Sequence, residues 1–249
     1  MLDVPRPPRP PIQNERAINA PGVVIALIVL FALVQAVRSI LSPQMDFELI
    51  VRFSFLPLRY DAVTLNGEIL PGGWGADIWT FVTYAFLHGD WVHLLVNAVW
   101  LLAFGSAVAW RFGAVRFLLF SLFCTIAGAA THLAFHFGEA VPVVGASAAI
   151  SGQMAGAIRF VFQPGAPLGL FRIGGAAAFR VPAHPLREAL RDGRVLGFLI
   201  VWIVFNVVFG LGAIGLSGEG QSVAWEAHFG GFFAGLLLFP IFDPIRSPR

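Results

Sequence analysis

The chain has 249 residues, of which 57% are hydrophobic and only 12% charged, whereas about a quarter of the residues in a soluble domain are charged. With a mean hydropathy of +0.79, this composition excludes an ordinary soluble protein and indicates an integral membrane protein. All 16 basic residues are arginine, which excludes mechanisms that need lysine, such as a Ser-Lys dyad or a P-loop. Cys124 is the only cysteine, which excludes an intrachain disulfide and a thiolate metal cluster.

The N-terminal part of the chain falls into three segments. Residues 1–21 are rich in proline and arginine, which predicts a disordered tail. The apolar run at 22–41 is long enough to cross a bilayer, and we interpret it as an uncleaved anchor and not as a signal peptide. Residues 42–90 mix acidic, turn-forming and aromatic residues, which predicts a partly helical segment at the membrane interface.

Five further apolar spans follow, and with the first they predict an all-α membrane protein with six transmembrane helices. These spans lie at 91–109, 115–137, 147–162, 195–216 and 224–242. The span that begins at Ser147 is short, so we expect it to start below the membrane surface after a re-entrant loop. The predicted membrane domain covers 22–242 and contains a basic cytoplasmic insertion at 163–194, for which contact with anionic lipid headgroups is the favoured interpretation. We expect residues 243–249 to form a short cytoplasmic tail.

The distribution of arginine predicts the orientation of these spans. With the N-terminus in the cytoplasm, 13 of the 16 arginines fall on the cytoplasmic side, as the positive-inside rule requires. The three that fall outside are Arg38, Arg52 and Arg59. An even number of spans places both termini in the cytoplasm, and the all-arginine basic set points to a bacterial cell (inner) membrane.

Polar residues near the outer ends of three spans suggest a function, because such side chains are costly in hydrocarbon. His93 and Asn97 share one face of the second span, Ser147 begins the fourth and His228 lies near the start of the sixth. At about 1.5 Å per residue, His93, Ser147 and His228 each lie within roughly 10 Å of the outer boundary. Each residue alone has a structural explanation, since a lone serine usually joins helices. Together they supply the nucleophile, base and hydrogen-bond donors of acyl transfer.

Three other polar residues in the spans receive structural interpretations. His132 and His136 are four residues apart near the outer face, but no third metal ligand is evident from the sequence. We therefore expect a structural or interfacial role for them, and no metal or cofactor. We expect Asn206 in the fifth span to form an interhelical hydrogen bond.

Small residues recur every four positions on the fourth and sixth spans. Such rows let two helix backbones approach closely, and pairing these spans could bring Ser147 Oγ within about 3 Å of a His228 ring nitrogen. The glycines assigned to helix packing are Gly145, Gly152, Gly156, Gly231 and Gly235.

Three motifs occur in order on these spans. They are His93-Leu-Leu-Val-Asn97, Gly145-Ala-Ser147-Ala-Ala-Ile-Ser-Gly152 and Ala227-His228-Phe-Gly-Gly-Phe-Phe-Ala-Gly235. Over about residues 76–242, this combination resembles the rhomboid family of intramembrane serine proteases. The resemblance implies six core helices, a first loop that lies in the outer leaflet, and a gate for substrate helices.

The same resemblance implies a function and its residues. It implies a Ser147–His228 dyad, with an oxyanion site formed by His93, Asn97 and the Ser147 backbone N–H. The implied activity is hydrolysis of peptide bonds in or near transmembrane segments, so the expected partners are transmembrane protein substrates and membrane lipids, and no nucleic acid. One alternative is a non-catalytic rhomboid-like protein that binds membrane clients. Another is a small transporter, but neither internal repeats nor a charge pathway across the membrane supports it.

The sequence departs from the family pattern in three places, none of which removes a catalytic atom. Ala148 stands where the usual GxSG motif has its second glycine, and its extra methyl could tighten the oxyanion site. Ser151 replaces an aromatic residue that often stacks on the base, and Trp79-Thr80 replaces a Trp-Arg pair in the first loop. Glu226 is two residues from His228, so on a helix it points elsewhere, and we predict a dyad and not a triad.

Overall fold

A computed structural model of the protein describes residues 20–169, 175–210 and 224–245. Most of the predicted N-terminal tail and the last four residues lie outside this part of the chain. So do 170–174 of the predicted insertion and 211–216 of the predicted fifth span.

The described residues form an all-α bundle, which confirms the predicted fold class. Ten α-helices lie in this part of the chain: α1 (Gly22–Ser39), α2 (Pro43–Phe53), α3 (Gly73–Thr83), α4 (Trp91–Trp100), α5 (Ser106–Phe112), α6 (Ala114–Phe135), α7 (Ser147–Ala157), α8 (Leu186–Ala189), α9 (Gly193–Gly210) and α10 (Trp225–Phe242). Four described stretches are long and apolar enough to cross a membrane, namely Gly22–Ser39, Trp91–Phe112, Ala114–Phe135 and Trp225–Phe242, and Gly193–Val208 is a shorter apolar helix.

The second predicted span consists of two helices joined by a π-helical turn. Asp90 caps α4 by accepting a hydrogen bond from the His93 backbone N–H at 2.7 Å, which satisfies one of the free donors at a helix start. A π-helical turn at Leu101–Gly105 then joins α4 to α5. Gly113, with φ of +76°, ends α5. The span therefore runs to Phe112, three residues beyond its predicted end.

Helix α7 lies in the centre of the bundle. It has 11 residues, or about 16 Å at 1.5 Å per residue, and every residue from Ala148 to Ala157 is buried. A Cβ added at Gly231 of α10 would lie 2.0 Å from the Ala148 carbonyl oxygen, and one at Gly235 would lie 2.3 Å from the Gly152 carbonyl oxygen. The backbones of α7 and α10 are therefore in direct contact. This span is short because protein surrounds it on all sides.

The outer helices present apolar side chains to their surroundings. In α1, half or more of Val29 and Leu33 is exposed, as is more than half of Ile200, Val201 and Val204 in α9. Exposed apolar surface of this extent on long apolar helices is what contact with lipid requires. The chain is thus an integral membrane protein.

The segment between α1 and α4 is folded and fixed by two arginines. Arg38 of α1 makes a two-pronged ion pair with Asp46 of α2 at 2.8 and 3.1 Å. The buried Arg59 donates to the carbonyl oxygens of Val51 at 2.8 Å and Pro71 at 3.1 Å. These contacts hold α2, the 3₁₀ turn at Pro57–Tyr60 and α3 against the bundle, consistent with the partly helical segment that the sequence predicts.

A buried ion pair closes the opposite end of the bundle from Ser147. The Arg111 side chain is fully buried and binds both carboxylate oxygens of Asp243 at 2.9 and 2.8 Å. It also donates to the carbonyl oxygens of Phe179 and Val181 and lies 4.5 Å from the centre of the Phe160 ring. Arg111 is thus the centre of a network that joins α5, the end of α10 and the 163–194 insertion.

Asp243→Ala is expected to destabilise the protein by about 3–5 kcal/mol, because it leaves the buried Arg111 guanidinium without its counter-ion. The measurement is the melting temperature of the detergent-solubilised protein, followed by tryptophan fluorescence. Glu188→Ala is the matched control, since Glu188 pairs with His184 and both side chains are exposed; such pairs contribute less than about 1 kcal/mol. Equal shifts for the two variants would contradict the prediction.

Candidate active site

Ser147 and His228 meet where α7 and α10 begin. Ser147 is the first residue of α7 and His228 the fourth of α10, and Ser147 Oγ lies 2.7 Å from His228 Nε2. The backbone contact between the two helices lies at Ala148 and Gly231, one residue beyond Ser147 and three beyond His228. The helix packing that the glycine rows predict thus places the hydroxyl and the imidazole at hydrogen-bonding distance.

The second nitrogen of the imidazole is held by Asn206 of α9. Asn206 Nδ2 donates to the Trp202 carbonyl oxygen at 2.8 Å, so its Oδ1 is the atom that faces His228 Nδ1 at 2.6 Å. His228 therefore carries its proton on Nδ1 and donates it to Asn206. The unprotonated Nε2 is then free to accept the Ser147 hydroxyl proton. This Nδ1–H tautomer is the one that a general base needs.

Sequence reasoning expected an interhelical hydrogen bond from Asn206 but missed its partner. The ring of Trp202 packs between Phe229 and Phe232 of α10, with ring centres 5.1 and 4.7 Å away, and this aromatic contact holds α9 against α10. The available signal was a lone amide side chain in an otherwise apolar span.

Asn206→Ala is expected to lower kcat about 5-fold, because the imidazole loses one orienting hydrogen bond worth roughly 1 kcal/mol. KM and the melting temperature should change little, which separates a positioning role from a structural one. The lipid-facing Val207→Ala is the control from the same helix. A loss of stability without a fall in kcat would contradict the positioning role.

His93 and Asn97 of α4 lie over the backbone that precedes Ser147. Gly145 has φ of +114°, and a Cβ added there would lie 2.8 Å from His93 Nε2 and 3.6 Å from Asn97 Nδ2. Because Gly145 has no Cβ, the His93 and Asn97 side chains can lie directly against its backbone. Its predicted role in helix packing is wrong, because it lies before α7 and approaches side chains of α4, not a helix backbone.

The hydrogen bonds of these two side chains leave donors free at this turn. The Gly89 backbone N–H donates to His93 Nδ1 at 3.3 Å, so the proton of His93 is on Nε2. Asn97 Nδ2 gives one proton to the His93 carbonyl oxygen at 3.1 Å and keeps a second. The Ser147 backbone N–H, at the start of α7, has no acceptor within its helix. Three donors therefore lie at the turn that leads from Gly145 into Ser147.

Two departures from the family pattern have structural explanations. A Cβ added at Gly128 of α6 would lie 2.5 Å from Ala148 Cβ. The methyl group of Ala148 thus packs against the bare backbone of α6, so it does not tighten the oxyanion site as the sequence suggested. Ser151 is buried within α7, and the Asn206 hydrogen bond orients the imidazole from the α9 side.

Glu226 faces away from His228, as its helical spacing predicts. Its Oε1 lies 2.5 Å from His132 Nδ1 and 3.2 Å from His136 Nε2. The expectation that His132 and His136 lack a third potential ligand is therefore wrong. Glu226 is far from both histidines in sequence, and only the packing of α6 on α10 brings the three together.

A family model described as the Rhomboid domain matches residues 75–243, well over half of the chain. The chain belongs to the rhomboid family. The match agrees with the resemblance over about 76–242 that the three motifs show. A comparison with curated proteins finds no match. Rhomboid proteins are generally intramembrane serine proteases that act on transmembrane substrates, but non-catalytic members exist. The activity of this rhomboid therefore has to be argued from its own site.

Proposed function

We propose that this rhomboid is an intramembrane serine endopeptidase, which hydrolyses peptide bonds in or near transmembrane segments of membrane proteins. The observation that carries the proposal is the chain of hydrogen bonds from Ser147 Oγ to His228 Nε2 at 2.7 Å and from His228 Nδ1 to Asn206 Oδ1 at 2.6 Å. This arrangement supplies a nucleophile, its base and an orienting group, which is the logic of serine hydrolysis.

The geometry supports a two-step reaction. As Ser147 Oγ attacks the scissile carbonyl carbon, His228 Nε2 accepts the hydroxyl proton. The resulting imidazolium, still donating to Asn206, gives that proton to the leaving amine when the peptide C–N bond breaks. Water then attacks the acyl-serine ester with His228 again as the base, which releases the carboxylic acid product and restores the Ser147 hydroxyl.

The charge that develops on the carbonyl oxygen is stabilised by donors already in place. We assign this role to His93 Nε2–H, Asn97 Nδ2–H and the Ser147 backbone N–H. Donors fixed before the reaction need no reorganisation in the transition state, and one such donor typically lowers the barrier by about 3 kcal/mol.

A non-catalytic client-binding function is the second candidate, and the site favours it less. A protein that only binds a client helix does not need a serine hydroxyl hydrogen-bonded to an imidazole. Three polar side chains from α7, α9 and α10 aligned in one chain are costly in a membrane, and the tautomer they impose on His228 serves proton transfer. The structure offers no comparable reason for this arrangement in a binding protein.

For the topology, we propose that both termini are cytoplasmic and that the active site opens toward the outer face. We propose a bacterial inner membrane as the location. The support for the orientation is the arginine distribution along the chain. Ser147 and His228 lie at the first turns of their helices, so water has a short path to them. The membrane domain at 22–242, with a basic cytoplasmic insertion at 163–194, completes this organisation.

The proposal is tested with the purified full-length chain in liposomes and a fluorescent single-span membrane protein that has small residues near its outer membrane boundary. The expected result is a cleavage product with a new N-terminus in or near the transmembrane segment. A soluble fragment of the same substrate without its apolar segment is the control and should stay intact. Failure to cleave any of several transmembrane substrates would contradict the proposal.

A further inference from the structure

A second cluster of ionisable residues lies at the active-site end of the bundle, outside the catalytic chain. It consists of His132 and His136 near the C-terminus of α6 and Glu226 at the N-terminus of α10. One ligand atom from each lies within 4.8 Å of the others. The side chains of His132 and Glu226 are almost fully buried, whereas that of His136 is 30% exposed.

Every ring nitrogen in this cluster faces an oxygen atom. His132 Nδ1 lies 2.5 Å from Glu226 Oε1, and His132 Nε2 lies 3.0 Å from the Val141 carbonyl oxygen. His136 Nδ1 lies 2.8 Å from Glu139 Oε2, and His136 Nε2 lies 3.2 Å from Glu226 Oε1. A neutral imidazole donates from only one of its two nitrogens. Two neutral rings therefore leave two nitrogen lone pairs directed at oxygens, which is repulsive.

Two positive charges would remove this repulsion. Either both imidazoles are protonated and pair with the two carboxylates, or one divalent cation takes the place of the two extra protons. A buried imidazolium is costly, and His132 is fully buried. A cation that binds Glu226 Oε1 and one nitrogen of each ring satisfies the same atoms without a protonated buried ring.

We propose that His132 Nδ1, His136 Nε2 and Glu226 form a binding site for Zn²⁺ or a similar divalent transition metal. Two imidazoles and a carboxylate are a ligand set that Zn²⁺ prefers. At bond lengths near 2.0 Å, tetrahedral ligand atoms lie about 3.3 Å apart. The His136–Glu226 pair already has this spacing, and the His132–Glu226 pair has to open by less than about 1 Å. The two ring nitrogens lie within 4.8 Å of each other, so they have to approach by at most about 1.5 Å.

The surroundings complete such a site. The Val141 carbonyl oxygen accepts from His132 Nε2–H, which leaves Nδ1 as the ligand atom and fixes the ring, as partners behind a ligating histidine commonly do. Glu139, which is more than half exposed, accepts from His136 Nδ1–H; this leaves Nε2 as the ligand atom of that ring, and water at the open side supplies a fourth ligand. The exposed parts of His136 and Glu139 give the ion a path from water.

The metal would connect the two helices with the loop that leads to the catalytic serine. Val141 belongs to the segment between α6 and α7, which also pairs with Phe55 through Val143 and continues through Gly145 to Ser147. A bound ion would hold this segment, α6 and α10 in one position. The inference concerns binding and stability, so it does not depend on the proposed protease activity.

The test uses the full-length Ser147→Ala chain in detergent after removal of any affinity tag and of bound metal with a chelator. Titration with Zn²⁺ should give one ion per chain and a raised melting temperature, and Co²⁺ should give the visible absorption of a tetrahedral site. His136→Ala and Glu226→Gln should each weaken Zn²⁺ binding by about 100-fold or more. His184→Ala is the matched control, because His184 also pairs with a glutamate but on an exposed turn, and it should bind as the parent does.

The parent chain alone can overturn the inference. If the Ser147→Ala chain showed no saturable single site for Zn²⁺, the cluster would instead consist of two imidazolium–carboxylate pairs. Unchanged affinity in both ligand variants, or an equal loss in His184→Ala, would also overturn it. Because His136 is partly exposed, His136→Ala should fold even if the buried Glu226→Gln does not. Failure of metal binding would leave the cleavage assay unaffected, so the two proposals are tested separately.

Discussion

Ser147→Ala is expected to abolish cleavage of a transmembrane substrate, with a fall in kcat of about 10⁴-fold or more. The variant removes the attacking oxygen while leaving the helix contact beneath it unchanged. His228→Ala should have a similar effect, since the hydroxyl then lacks a base, and the double variant should be no worse than either single one. The measurement is product formation over time in liposomes.

The control for this prediction is Ser151→Ala, which removes a buried hydroxyl one turn further along α7 and should retain activity. A fluorophosphonate should form a covalent adduct with Ser147 in the parent chain, with fluoride as the leaving group. His228→Ala should lose this labelling, because the nucleophile is no longer activated. Cleavage that persists in Ser147→Ala would show that another group performs the chemistry.

His93→Ala and Asn97→Ala are each expected to lower kcat by about 10²–10³-fold, because each removes one donor to the developing oxyanion. KM should change little if the donors act mainly in the transition state. The double variant should lose less than the product of the two effects, since both donors serve the same oxygen atom.

Val96→Ala is the matched control, because Val96 lies on α4 beside Asn97 but is half exposed on the lipid side. Its kcat should equal that of the parent. Fluorophosphonate labelling of Ser147 should persist, more slowly, in Asn97→Ala, since the nucleophile and base remain. If kcat were unchanged in both donor variants, the oxyanion would have to be stabilised elsewhere.

The sequence was sufficient for the features that depend on pattern along the chain. Apolar length predicts the membrane helices, small residues at every fourth position predict that α7 and α10 touch, and polar residues at a common depth single out Ser147 and His228. Each of these rests on local periodicity or on the energetic cost of polarity in lipid, both of which can be read from one chain.

The features that the sequence did not predict depend on which helices become neighbours. Nothing local links Asn206 to His228, or Glu226 to the two histidines of α6, because each pair is joined only through packing. The pairing of Arg111 with Asp243 is of the same kind, since 132 residues separate the two in the sequence. The positive φ of Gly145 could not be predicted from the sequence either. A glycine two residues before Ser147 fits a helix contact and a turn equally well.

The crossing of α7 and α10 has a consequence for how this site tolerates change. Main-chain atoms, with no side chain between them, set the spacing of the hydroxyl and the imidazole. Rotamer motion in the surrounding lipid-facing residues therefore cannot widen that gap, whereas a single methyl at Gly231 would push the two helices apart. Lipid-facing residues can therefore be substituted without moving the hydroxyl from the imidazole. At the contact of Gly231 with the Ala148 carbonyl oxygen, by contrast, only glycine fits.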